Sequence, residues 1–237
     1  MSLDFVFFHV GDDFTYPTML CESIKKTNPN ANIIQLTDKK TPILSEYVNR
    51  FVRVDGKKEN LMFLRSKAYQ AYEIEKPTLF LDTDMLVVKK IEEDDIFKDK
   101  DLVLCEREFQ RDLVGDGLNN YLLQNNLSEY INQTLYEIFP ILGCFIAARE
   151  SKLLKVAHKI YANYANDKKR WNGDQFALKE IFHNNKEDID LISENKIAYP
   201  ILRDDNWEDT FIIHFKGKRL KNQIKPFFEK IFLDVQT

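Results

Sequence analysis

The chain has 237 residues, 44% of them hydrophobic and 30% charged, and a formal net charge of −4. That length suits one α/β domain with a single sizeable core, and the near balance of charge argues against an electrostatic grip on nucleic acid. Seven Gly and seven Pro are too few for long flexible linkers, and no apolar run approaches the roughly 18 residues a membrane span needs.

The N-terminus, Met1-Ser2-Leu3-Asp4, carries no basic segment and no apolar core of a secretory leader. A cytoplasmic protein is therefore the expectation. Cys21, Cys105 and Cys144 are odd in number and sit beside apolar residues. They suit reduced core thiols rather than a disulfide frame or a zinc site. Asn126-Leu127-Ser128 and Asn132-Gln133-Thr134 match the N-glycosylation pattern, but without a secretory signal they read as chance.

In chain order, Phe5 to Val10 is a largely apolar run of the kind a strand covered on both faces would have. Gly11-Asp12-Asp13 ends it, and Thr15 and Pro17 mark the start of a helix to about Lys26. Asn28-Pro29-Asn30 is a turn, and strands follow at Asn32 to Leu36 and Phe51 to Val54. Residues 59–75 form a helix with Leu61, Leu64, Ala68, Ala71 and Tyr72 on one face. Pro77 breaks it ahead of Leu79-Phe80-Leu81-Asp82-Thr83-Asp84-Met85-Leu86. This alternation predicts parallel βαβ units, where ligands bind beyond the carboxyl ends of the strands. Gly11-Asp12, Asp38 and Asp82-Thr83-Asp84 all fall at such ends.

The second half is less regular. Strands are expected at Leu102 to Cys105, Ile141 to Ala147 and Phe211 to His214, and helices at 128–138, 151–165 and 173–183. Residues 106–127 are polar and contain glycine, as a mobile lid on an acceptor side would. Trp207 is expected to pack into the core, with stacking on a sugar as the alternative. Phe227, Phe228, Ile231, Phe232 and Val235 share one helical face, expected to dock on the core; weak association with a membrane surface is the alternative.

The chemistry centres on Asp82 and Asp84. Two carboxylates at the end of a core strand repel one another and are costly to bury, and a divalent cation removes both costs. Metal-assisted chemistry on an anion, most often a phosphate, is therefore expected. Arg65 lies on or beside the apolar face of its helix, where it either snorkels or reaches an anion. Trp171-Asn172-Gly173-Asp174-Gln175 opens a helix, and Asn172 and Gln175 have the spacing of a capping box. His214-Phe215-Lys216-Gly217-Lys218-Arg219 places an imidazole beside a glycine among cations, suited to a metal and to phosphate. Asp12 and Tyr16, near the first strand's end, could hold a nucleoside.

Together these motifs, in this order and over nearly the whole chain, resemble the GT-A glycosyltransferases, most nearly the glycogenin-like retaining galactosyl- and glucosyltransferases. The resemblance implies a single GT-A, Rossmann-like α/β domain over residues 1–237, with a central mixed, mainly parallel sheet flanked by helices. Residues 1–100 would form the nucleotide-binding half and 101–237 the acceptor side. It implies transfer of a hexose from a nucleotide-diphosphate sugar, UDP-linked in this family, to a glycan or other hydroxyl acceptor, with Mn²⁺ or Mg²⁺ as cofactor. Asp82, Asp84 and His214 would hold the metal. Thr83 would lie near the ribose, Asp12 and Tyr16 near the uracil, and Gly217 and Lys218 at the diphosphate. Arg65 would reach the donor, and Asp174 and Gln175 would sit by the anomeric carbon. Two departures stand out. Ile141-Leu142-Gly143 replaces the family's Asn-x-Gly, and Leu220, flanked by Lys218 and Lys221, falls where Lys-Pro-Trp is expected. They leave the donor sugar, and retention against inversion, open. A Mg²⁺-dependent phosphatase of the haloacid dehalogenase type and a non-catalytic nucleotide- or sugar-binding GT-A domain are the alternatives.

Overall fold

The computed structural model describes residues 3–56, 60–164, 172–200 and 207–233, without the side chains of 199, 200, 218 and 219. Its strands are β1 (Asp4–Phe8), β2 (Asn32–Asp38), β3 (Arg50–Val54), β4 (Thr78–Leu81), β5 (Met85–Val87), β6 (Leu102–Glu106), β7 (Ile141–Ala148), β8 (Ile189–Ser193), β9 (Tyr199–Pro200) and β10 (Ile212–His214). The α-helices are α1 (Thr15–Thr27), α2 (Leu61–Ala71), α3 (Glu93–Ile96), α4 (Asp116–Gln124), α5 (Leu135–Ile138), α6 (Lys152–Asn163), α7 (Gly173–Asn184), α8 (Glu194–Ile197) and α9 (Lys218–Phe232).

A seven-stranded sheet runs β3-β2-β1-β4-β7-β6-β8, and a three-stranded sheet runs β5-β10-β9. In the large sheet β7 runs against both its neighbours, β4 and β6, and every other pairing is parallel. The expected mixed, mainly parallel sheet is therefore present. The continuous apolar runs have the physical reason anticipated for them. Strand residues alternate faces, so Phe5, Phe7, Leu79 and Leu81 join a cluster with Leu20, Cys21 and Ile24 of α1. Val6, Phe8 and Phe80 join another with α2, α6 and α7 on the opposite face. Each fully buried Phe contributes on the order of 1.5–3 kcal/mol. Cys21, Cys105 and Cys144 are free and buried, as expected.

Strands β5, β8 and β9 escape the sequence reading because they are short or follow directly on other elements. The stretch expected as one helix over 128–138 is broken into a 3₁₀ turn, Ser128–Tyr130, and α5. Residues 106–127 do not read simply as a lid. Leu118, Leu122 and Leu127 there build a small core of their own with Ile138 and Phe139, against which Phe176 packs. α9 docks as expected: Leu220, Ile224 and Phe228 are buried against Met19, Leu86 and Ile213. Trp207 packs on the same cluster, its ring 5.7 Å from that of Phe227. Val235 and Trp171 lie outside the described residues.

Candidate active site

The strand holding Leu79 to Leu81 ends at Asp82, and the turn of Thr83 and Asp84 leads at once into β5. Two backbone bonds pin that turn: Asp82 N–H donates to the Cys144 carbonyl at 3.1 Å, and Phe215 N–H to the Asp84 carbonyl at 2.9 Å. β10 runs antiparallel to β5 with His214 opposite Met85. A residue about 130 positions downstream is thereby brought beside the carboxylate pair. Ligand atoms of Asp82, Asp84 and His214 lie within 4.8 Å of one another. Two carboxylates and an imidazole form a donor set that could hold a divalent cation.

Arg65 reaches the same place from α2. Asn60 caps that helix, its side chain accepting from the N–H of Met62 at 2.8 Å and of Phe63 at 3.0 Å. The cap fixes the phase that turns Arg65 inward. Its guanidinium is buried and pairs with both Asp82 and Asp174. Asp174 comes from the first turn of α7. The capping box expected there does not form: the Asn172 side chain donates instead to the Tyr121 hydroxyl. Asp174 is accordingly held by Arg65 as well as by its helix, and the Gln175 Oε1 is left buried with no hydrogen-bond partner among the described residues.

The charges explain the titration of the group. Burial pushes Asp82 up to about 6, against the opposing pull of Arg65, and Asp84 adds to the rise. Burial acts on Asp84 in the same sense, but His214 and Lys221 outweigh it and hold Asp84 well below the usual carboxylate range. Burial disfavours a charged His214, yet contact with Cys144 and Asp84 raises it above its ordinary value. Arg65 likewise stays charged: Asp82 and Asp174 more than offset its desolvation.

These groups line one cleft with a cavity of about 570 Å³. Tyr16, Arg65, Asp82, Asp84, Asp174, Gln175, His214 and Gly217, all singled out from sequence, line it. Asp12 does not; it is exposed. Thr83 occupies the turn between the two carboxylates but is not part of the lining. Gly217, at φ 87°, has the left-handed backbone that favours glycine and leads into α9. Lys218 opens that helix, and its side chain lies outside those described.

Lys216, from the motif read as suited to phosphate, lines the cleft too; Met62, Gly143, Cys144, Lys221 and Asn222 also face it and were not assigned from sequence. Gly143 carried a readable signal, a glycine inside an otherwise apolar strand, which often marks close approach of other groups. A Cβ there would stand 3.1 Å from Arg65 Nη2 and 3.4 Å from Asp174 Oδ2.

Solved structures share this arrangement of elements across almost the entire chain. The galactosyltransferase LgtC, solved with donor and acceptor sugar analogues, superposes with a TM-score of 0.59 at 13% identity, covering 96% of this chain and 95% of that one. The fold is that of a GT-A glycosyltransferase. A glycosyltransferase involved in glycosylation of the major capsid of PBCV-1 shares the GT-A fold at TM-score 0.59 and 11% identity, covering 95% of this chain and 100% of that one. No family model and no curated protein sequence matches the chain. Among the described residues no helix is long and apolar enough to cross a membrane.

Proposed function

We propose that this GT-A domain is a metal-dependent glycosyltransferase that moves a hexose from a nucleotide-diphosphate sugar, UDP-linked, to a hydroxyl of a glycan or similar acceptor. The observation that carries the reading is the convergence of Asp82, Asp84 and His214 with Arg65, Asp174 and Gln175 on one cleft. The structural neighbours named above are themselves glycosyltransferases. A domain that only bound a ligand would have no need of three such ligands beside a buried ion-pair network, and the fold favours the transferase over the phosphatase.

A divalent cation held by Asp82, Asp84 and His214 would neutralise the diphosphate as it leaves, the main charge to be stabilised in such a transfer. Arg65 holds Asp82 and Asp174 at fixed positions, so the carboxylates need no reorganisation during reaction. Tyr16, which lines the cleft, supports the nucleoside end; Asp12 and Thr83, the other residues assigned there, lie outside the lining. Gly217 lets the backbone approach the phosphates, and Lys216 adds positive charge there; Lys218, assigned to the diphosphate from sequence, opens the helix that follows. The orphaned Gln175 Oε1 is an acceptor in search of a donor, and a sugar hydroxyl supplies one. Both oxygens of Asp174 are already engaged, Oδ2 by Arg65 and Oδ1 by the Gln175 N–H at 2.8 Å, which leaves neither free to take a proton from an acceptor hydroxyl. Transfer with retention, assisted by the departing phosphate beside Gln175, is therefore favoured over inversion.

A thermal-shift screen with nucleoside diphosphates, with and without Mn²⁺, tests the reading. A ligand at 100 times its Kd stabilises a fold by about 2.7 kcal/mol. The expected result is stabilisation by UDP that requires Mn²⁺ and is lost in Asp84→Ala. No shift with any nucleotide refutes it.

A further inference from the structure

Asp84 already has a cation of the chain itself. Its Oδ2 accepts from Lys221 Nζ at 2.9 Å, while its Oδ1 faces His214 Nε2 at 3.4 Å. Both oxygens of one prospective metal ligand are therefore engaged. Beside His214, the lysine and the arginine paired with these carboxylates differ in how firmly they are held. Arg65, on Asp82, is buried and tethered a second time by Asp174, so it has nowhere to go. Lys221 enters from the first turns of α9 on a flexible stem, its side chain 38% exposed. Its ammonium lies 5.7 Å from the centroid of the Tyr16 ring, which lines the same cleft.

We propose that Lys221 is a displaceable stand-in for the metal: it neutralises Asp84 while the site holds no divalent cation and is driven off when one binds. This rests on the metal-dependent reading above and adds to it a residue that sets the metal's affinity. A carboxylate oxygen that receives a charge-assisted hydrogen bond from an ammonium is a poorer ligand, because the bond must be broken before the oxygen can coordinate. Binding of the cation is then an exchange of one positive charge for another. Its affinity is lower than the ligand set alone would provide. Without Lys221 the site has lost one of its counter-charges and the Asp84 Oδ2 its hydrogen-bond donor, so the metal-free form is destabilised while the loaded form is not. The same displacement would leave the lysine near the cleft wall formed by Lys216 and Gly217, available to an anionic substrate.

The experiment compares the wild-type chain, Lys221→Met and, as a control for general electrostatics, Lys216→Met, another lysine lining the cleft. Mn²⁺ binding without nucleotide is followed by the paramagnetic resonance signal of the free ion, and melting is measured in EDTA and in Mn²⁺. The expected result is that Lys221→Met binds Mn²⁺ about tenfold more tightly, equivalent to about 1.4 kcal/mol. Lys221→Met should also melt lower than wild type in EDTA and gain more from added Mn²⁺, and Lys216→Met should show neither effect. Equal tightening in both variants overturns the inference, since any nearby positive charge would then do the same. Wild-type affinity in Lys221→Met, with Mn²⁺ bound by both, overturns it while leaving the metal-dependent reading intact. Failure of all three chains to bind Mn²⁺ removes that reading and the inference together.

Discussion

Replacing Arg65 by methionine keeps most of the side-chain volume and removes one buried charge from between two carboxylates. Asp174, whose side chain is 10% exposed, is left without its guanidinium partner, and Asp82, at 27%, loses its main counter-charge beside Asp84. Removing one partner of a buried ion pair costs about 3–5 kcal/mol, because the other charge stays desolvated. For chains of this length that corresponds to a fall in Tm of about 2–4 °C per kcal/mol, or about 6–20 °C in total. Thermal unfolding at neutral pH in EDTA reads it directly. The reasoning makes a second demand. If the loss comes from an uncompensated carboxylate, Asp174→Asn in the Arg65→Met background should recover about half of it, as a coupling term between touching residues. An Arg65→Met protein within about 1 kcal/mol of wild type, below any buried-pair cost, would refute the account. So would a double variant no more stable than the single one.

Gly143→Ala should destabilise by about 1–3 kcal/mol, the range for overpacking, because the Arg65 tip 3.1 Å from the new Cβ is tied at both ends and cannot yield; an unchanged denaturation midpoint speaks against this. Gln175→Met removes a buried acceptor that has no partner, a group that costs about 1–3 kcal/mol when unsatisfied. Its Tm should therefore hold or rise while transferase turnover falls at least about tenfold, the equivalent of about 1.4 kcal/mol of lost transition-state binding; a lower Tm contradicts the orphan assignment. Burial holds His9 below its ordinary 6.5, against the opposing influence of Gly11, Asp13 and Asp12. The unfolded chain then takes up that proton first, so the stability His9 provides is full above 6.5 and is lost as pH falls through the lower folded value. Urea melts of His9→Phe should show a shallower decline from about pH 7 to 5, the span over which histidine titrates, and an unchanged slope excludes the effect.

Much of this protein was legible along the chain. Phe5 to Phe8 and Leu79 to Leu81 are apolar on both faces, and only a sheet covered on both sides gives such runs a place. Pro77 and the residues around Gly11 mark where elements stop. Asp82 and Asp84 betray themselves because like charges at a core strand's end need an outside reason. The sequence by itself therefore determined the α/β class, singled out the carboxylate pair and, through the resemblance carried by motif order, pointed to His214 and Asp174, which line the same cleft. What it could not determine is who touches whom. Asn172 and Gln175 have capping-box spacing, yet Asn172 turns to Tyr121, a partner 51 residues away in the chain. Arg65 could equally have snorkelled along its helix; the approach of α2 and α7 to the end of β4 decides that it clamps Asp82 to Asp174. Lys221 stands beside the position where Lys-Pro-Trp was expected, but nothing local pairs it with Asp84. Its role depends on α9 docking against β10, which carries its ammonium to Asp84. Local propensity and pattern act over a few residues and survive in the sequence. The electrostatic pairs of the cleft join residues up to 137 positions apart, Asp84 and Lys221 among them, and only the packed tertiary structure brings them within reach.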